Sequence, residues 1–520
     1  MNNTGFRMKI QMDKLLIYAA YIYITVPFLI FLAGWLRWYY SVPLLFVVLT
    51  SLFFSLKEYK GRFIDILVKG RNKKMIVAIC IILVWVGFSG IGGFSYQTWD
   101  HHFRNAIFRD LVTHDWPVVY HVKGFGPEHP LEGRDCMMAY YIGFWLPAAV
   151  FGKAFGWSAA NAFLFIWTVA GLLMIFYFIC RLVRVFTLRL LLIFIFWGTL
   201  YVIGLLIKYP VKTLIQSEAL LWAGNMFYAD NNTGLLYWVF NQTVTPWLII
   251  VLILNQIPGK NILYLFSLCF FQGPLAFLGL FPFVVYKLFK ECFERRESLF
   301  SAFTRLVSFQ NIVGSLTVLI ISSLFFLSNS AAQRFVFIPR NPGLYFAFIF
   351  LSFGILALLI FHKYRKEPLF YISIFILLLL PFFQLGYGLD FCARVSIPPM
   401  FILMLLVMKY LLENTGYARR KILLACLLIS AIFPLLQLSR SVTLTSLQYI
   451  SRLNIDLSVP GKRNNPVTNK IISKLAEARR HNLLFKDDFY TIVSPINYSV
   501  ANFIGPVDES FFYRNLAKTE

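Results

Sequence analysis

The sequence predicts an all-α polytopic membrane protein with about eleven transmembrane helices and a cytoplasmic N-terminus. Three observations carry this. Apolar runs of ~20 residues recur along most of the chain, the length that crosses a ~30 Å hydrocarbon core at ~1.5 Å per helical residue. Of 520 residues, 59% are hydrophobic and only 14% are charged, against about 25% charged in a soluble domain. The basic residues cluster in short loops between the apolar runs, where they act as topogenic charge. That placement also explains the net charge of +24. The partner it implies is the lipid bilayer, and no nucleic-acid partner is expected. Segments of about ten residues with alternating hydrophobicity, the mark of a membrane β-barrel, do not occur.

The elements follow from the charge bias. The first run, 15–36, comes after Arg7, Lys9 and Lys14 and is too long for a signal-peptide core, so it reads as a signal anchor. Lys57, Lys60, Arg62, Lys69, Arg71, Lys73 and Lys74 make the loop 57–74 cytoplasmic. Two spans precede this loop, which closes a first unit, 1–74. The core, 75–438, begins with a span at 75–91 and a long outer loop, 92–138. Residues 140–157 contain Pro147 and Gly152. They are expected to lie at the outer interface or re-enter, because a crossing there would turn Arg181, Arg184 and Arg189 outward. Spans are then expected at 160–180, 190–207 and 235–254. Residues 262–288 have basic residues at both ends and Gly273-Pro274 in the middle, so a hairpin of two short helices is expected. Further spans are expected at 313–327, 344–361, 369–385, 397–411 and 422–438, leaving a small outer tail, 439–520, with one helical stretch near 468–481.

Chemistry gathers on the outer side. Five of the seven histidines lie in the first outer loop: His101, His102, His114, His121 and His129. Asp100 is the strongest catalytic candidate. It follows the third span closely, and a partly desolvated carboxylate at a membrane mouth suits a general base. The bland alternative is an ion pair with Arg104 one helical turn on, and both readings can hold together. His101, His102 and Arg104 are candidate substrate contacts. No complete metal motif appears and no cofactor is certain, but a divalent metal stays open, since Asp110 and His114 share a helix face. Asp390 and Arg394 form a second signal in a short outer loop, where the guanidinium offers a planar fork for phosphate or simply pairs with Asp390. Asn241 and Gln242 form a third, amides opening an apolar span beside aromatics suited to a sugar face. Lys208 and Lys212 are candidates for phosphate or for lipid headgroups. There are seven cysteines. Cys136 and Cys392 fall on the outer side and could pair, but no disulfide framework is legible.

At these residues the chain resembles the membrane-embedded glycosyltransferases of the C superfamily. The segments that carry the likeness are 97–106 (QTWDHHFRNA), 140–147 (YYIGFWLP), 390–398 (DFCARVSIP) and the closing 503–505 and 510–513. The resemblance implies a bacterial cytoplasmic-membrane enzyme that takes a hexose or pentose from a polyprenyl-phosphate donor on the outer face. It also implies that Asp100 deprotonates the acceptor hydroxyl of a glycan, lipid or protein, in the assembly of surface polysaccharide or glycoprotein. Some branches carry paired acidic residues at this place, whereas Asp100 has Trp99 and His101 as neighbours. The alternatives are a transporter or flippase, or a polymerase, of lipid-linked glycans. A transporter would carry ionisable residues inside its spans, and the expected span cores are almost free of them.

Overall fold

A computed structural model of the chain describes residues 6–8, 12–58, 66–68, 73–98, 100–123, 127–216, 220–224, 226–229, 231–255, 259–294, 299–329, 335–385, 390–413, 417–452 and 503–518. The expected helix at 468–481 lies outside these residues, as does Trp99.

The described chain is mostly helical. α1 (Met12–Trp35) and α2 (Trp38–Lys57) form an antiparallel pair, closed by a hydrogen bond from the Tyr18 hydroxyl to the Leu56 carbonyl. α3 (Lys73–Gly87) leads through a glycine-rich turn to α4 (Asp100–Thr113). α5 (Leu146–Phe155) meets α6 (Trp157–Val183) at Gly156, whose φ of 86° suits glycine and few other residues. α5 has 10 residues, about 15 Å of helix, too short to cross a bilayer. α7 (Leu188–Ile195), α8 (Tyr201–Lys208) and α9 (Val211–Gln216) are short. α10 (Asn232–Val239) and α11 (Val244–Leu254) are bent by 100° to each other.

α12 (Gly259–Gln272) and α13 (Pro274–Glu294) form the expected hairpin. Phe266 stacks on Phe277 with ring centroids 3.9 Å apart and reaches Phe281 at 6.2 Å. In a straight helix residues eleven apart would be separated by about 16 Å, so the chain doubles back at Gly273-Pro274. The remaining helices are α14 (Leu299–Leu306), α15 (Ser315–Phe326), α16 (Pro342–Ile349), α17 (Ile355–Tyr364) and α18 (Pro368–Leu379). They are followed by α19 (Asp390–Val395), α20 (Ile397–Leu412), α21 (Tyr417–Ser430), α22 (Ile432–Arg452) and α23 (Phe511–Asn515).

Among the described residues, six helical stretches are long and apolar enough to cross a membrane: Lys14–Trp35, Trp38–Lys57, Trp157–Val183, Pro342–Tyr364, Asp390–Leu412 and Ala418–Leu447. The bent pair α10–α11 makes a seventh if it counts as one span. The chain is therefore a membrane protein in its helical composition, and each of these stretches meets an expected span. The other expected spans meet shorter elements. Residues 75–91 correspond to α3, of 15 residues, and 313–327 and 369–385 to the apolar stretches Gln310–Phe326 and Pro368–Phe382.

Two expected spans are interrupted in the structure. Residues 190–207 split into α7 and α8, of eight residues each. Gly198, at the break, passes so near the Ser430 carbonyl that a Cβ would collide with it. Residues 235–254 bend sharply at Thr243, because Pro246 has no N–H to extend α11 backwards. The expected tail is corrected at its start, since α22 stays helical to Arg452.

Small sheets collect the loops at the two ends of the bundle. β1 (Phe6–Met8), β2 (Ile66–Val68) and β5 (Val185–Phe186) make one sheet, uniting three loops expected on the same side. β3 (Val119–His121), β4 (Asp135–Met138) and β8 (Ile504–Pro506) make a second sheet, and β6 (Phe335–Phe337) pairs with β7 (Phe383–Leu385). The second sheet shares its end with the α1–α2 turn, where the Arg37 N–H bonds the Leu516 carbonyl at 3.0 Å and the Lys518 N–H bonds Trp35 at 2.8 Å. Phe512 enters the core beside Phe31 and Phe325. A Cβ on Gly505 would strike the Ser328 carbonyl. Gly505→Ala is therefore expected to loosen residues 503–518 at a cost of about 1–3 kcal/mol, the scale of overpacking. Limited proteolysis in detergent should then release a C-terminal fragment that the parent protein retains.

Candidate functional site

The path into α4 is fixed by local hydrogen bonds. Gly90 takes φ 85°, its N–H bonds the Ser95 hydroxyl at 2.9 Å, and its carbonyl accepts the Gln97 amide at 2.8 Å. The Gln97 side-chain oxygen accepts the Asn105 amide at 2.9 Å. This braces the first turn of α4 and sets Asp100 at the positive end of a helix, where a carboxylate is favoured. One turn on, Arg104 holds the Asp100 carboxylate at 2.7 Å and, with its other terminal nitrogen, the Asn241 side-chain oxygen at 2.8 Å. Asn241 is available because it sits at the bend between α10 and α11. The bend thus delivers an amide to a guanidinium 137 residues away. Arg104 is 7% exposed and Asp100 33%, so the pair is buried on the arginine side and open on the carboxylate side.

α19 repeats the arrangement. Asp390 opens the helix, and Arg394, one turn on, donates to it at 3.1 Å. Asp100, Asp390 and Arg394 all face one cavity of about 220 Å3. Its other walls include Leu221, Phe227, Leu235, Trp238 and Phe433, with Asn231 and Gln437 as polar members. The cavity lining therefore combines three charged residues with a largely apolar remainder.

The other candidates are distributed around this core. Gln242 donates to the Tyr140 hydroxyl at 3.3 Å. Lys208 donates to the Leu221 carbonyl at 3.0 Å and lies over the Tyr209 ring, so it holds a wall of the cavity. The side chains of His102 and Lys212 lie outside the described residues. His101 is packed into the interior, 1% exposed, its Nδ1 at 3.1 Å from the Thr98 hydroxyl and its ring 6.0 Å from Phe240. It is absent from the cavity walls, so its position is that of a core residue bracing α4.

Burial, with Arg104 adding to it and Asp100 opposing it, lowers the His101 pKa from 6.5 to about 3. The unfolded chain takes up this proton as pH falls through 6.5 and the folded chain does not until about 3. His101 therefore leaves stability untouched above pH 6.5 and erodes it in between, at up to about 1.4 kcal/mol per pH unit. His101→Gln should remove that part of the acid slope, read as the change in thermal midpoint in detergent between about pH 7 and pH 4.5.

Tyr140, to which reasoning from charge and motif gave no role, accepts the Gln242 amide beside Asn241. Burial pushes its hydroxyl up to about 12, and it lies within the fields of Arg104, Asp390, Arg394 and Asp100. Its place in the 140–147 run was the only signal in the sequence. The contribution of α22 through Phe433 and Gln437 was hidden in a stretch read as the last span and the tail.

Among the described residues no group of three or more His, Cys, Asp and Glu side chains could hold a metal ion. Asp110 and His114 do approach, at 3.8 Å, but Asp110 also accepts the Tyr120 hydroxyl at 2.6 Å and so ties α4 to β3. Cys136 and Cys392 are both buried and free, so the suggested pairing is not present. Comparison with protein-family models, curated proteins and solved structures finds no match to the chain.

Proposed function

We propose that the chain is a membrane glycosyltransferase that moves a sugar from a polyprenyl-phosphate donor to a hydroxyl of a glycan, lipid or protein acceptor on the extracytoplasmic face. The observation that carries this reading is the cavity itself. Its lining combines the carboxylate of Asp100 and the Asp390–Arg394 pair with apolar and aromatic side chains. Such a cavity suits a donor that is a sugar and phosphate at one end and a hydrocarbon chain at the other.

In this reading the free oxygen of Asp100 takes the proton of the acceptor's hydroxyl while the hydroxyl's own oxygen attacks the anomeric carbon. The bond from that carbon to the phosphate oxygen breaks, and the leaving phosphate gathers negative charge. Arg394, 12% exposed, is the cation on the cavity wall placed to receive it. Arg104 fixes the orientation of Asp100, and Asn241 fixes Arg104. None of these steps routes through a metal.

The test is direct. Purified protein is incubated with polyprenyl-phosphate sugars radiolabelled in the sugar, and label is followed out of the lipid fraction. Label reaching water-soluble or acceptor-bound product supports a transferase and names its donor. Donor that binds but stays intact with every acceptor class would leave the transporter reading in its place.

A further inference from the structure

α22 is an unusual helix for its position. Its outward side carries exposed apolar residues, among them Leu435 and Val442. Its inward side carries a polar residue at every fourth position, and each bonds a loop at the site end of the bundle. Gln437 accepts from Asn231 at 3.2 Å, Ser441 donates to the Phe88 carbonyl at 2.5 Å, Thr445 accepts the Tyr96 N–H at 2.8 Å and Tyr449 donates to the Phe94 carbonyl at 3.2 Å. Residues four apart on a helix lie in one row, so α22 is pinned along a single seam by hydrogen bonds.

Three cavities lie along that seam. The Asp100 cavity, about 220 Å3, is bounded by Phe433 and Gln437. Next comes a small space of about 30 Å3 between Thr98, Trp238, Gln437, Arg440 and Ser441, room for about two waters. Beyond it a cleft of about 550 Å3 opens between the end of α3 and α22, at Val84, Gly87, Phe94, Thr445 and Tyr449. Its mouth is flanked by Val84, Phe94 and Tyr449, all exposed. Along α22, a charged chamber and a mainly apolar cleft thus have only this small space between them, and one helix forms a wall of all three.

We propose that α22 is a lateral gate, and that the cleft beneath it takes the hydrocarbon chain of an amphiphile whose anionic head sits in the Asp100 cavity. The occupant follows from the lining. The cleft is mainly apolar and lies among exposed apolar side chains, whereas the Asp100 chamber holds the charge. Release of the seam widens the small space and joins the three. The loops receive the hydrogen bonds through backbone groups at Phe88, Phe94 and Tyr96, which water or a lipid headgroup can satisfy while the helix is displaced. The inference rests on the proposed function for the identity of the head group.

Gly87 supplies the test, because a Cβ there meets nothing within 4 Å. Gly87→Trp starts an indole from a position on the cleft lining where the Cβ has open space, and Leu435→Trp, on the outward side of α22, is the control. Each protein, in lipid nanodiscs, is irradiated with a long-chain isoprenyl monophosphate carrying a diazirine in its chain, and the labelled peptides are mapped. We expect label concentrated on residues 84–94 and 433–449, reduced roughly tenfold by Gly87→Trp and unchanged by Leu435→Trp. Label spread over lipid-facing helices such as α2 in proportion to exposure would overturn the gate, as would label indifferent to Gly87→Trp. The two proposals fail separately. Specific labelling of α22 without sugar transfer keeps the gate and removes the transferase, and transfer with label elsewhere does the reverse.

Discussion

Asp100→Asn should lower the rate of sugar transfer by about 10³-fold, with the fold and donor binding retained, if Asp100 is the general base. Asparagine is nearly isosteric, keeps an oxygen for Arg104, and cannot take up a proton at the pH of the reaction. The size of the loss distinguishes roles. A residue that only orients Arg104 would cost far less, because asparagine still offers an acceptor at the same place. Single-turnover transfer from a labelled donor gives the rate, and co-purification with labelled donor gives binding. A variant that transfers within a fewfold of the parent would remove Asp100 from the chemistry and return it to a structural ion pair.

Arg104→Met is expected to cost about 2 kcal/mol of stability together with most of the activity. Breaking a fully buried ion pair costs about 3–5 kcal/mol, because a charge is left without its partner. Here the charge left behind is Asp100, which keeps a third of its exposure and can be rehydrated, so the penalty is smaller. Asn241 loses its partner as well, and its side chain is fully buried. The thermal midpoint in detergent measures the stability effect. A double-mutant cycle with Asp100→Asn separates the pair from the rest. If the pair dominates, the double variant should be more stable than Arg104→Met alone, since no bare carboxylate remains. Equal loss in the single and the double variant would assign the effect to Asn241.

The sequence makes part of this site legible for a plain reason. In a chain with 14% charged residues, charges outside basic loops are scarce enough to stand out. Asp100, Arg104, Asp390 and Arg394 were visible as i,i+4 pairs at the mouths of apolar runs, and the structure forms both pairs. Asn241 and Gln242 were visible as amides interrupting an apolar run, although their partners were not. The contacts of Tyr140 and Gln437 were not legible, because a tyrosine or glutamine beside a membrane helix has many ordinary uses. The burial of His101 was not legible, since histidines clustered in a polar loop look alike whether they face a cavity or the core.

The sequence by itself determined the membrane character of the chain, the placement of most helices and the α12–α13 hairpin. Apolar length, loop charge and the missing N–H of Pro274 are local properties, read from adjacent residues. Only the tertiary structure decided that the run at 190–207 breaks beside Ser430, that α10 and α11 bend by 100°, and that residues 503–518 return to cap the α1–α2 turn. Those outcomes depend on backbones meeting across long stretches of sequence. So does the site, where residues 100, 241, 390 and 437 are assembled by packing between helices that no local pattern pairs.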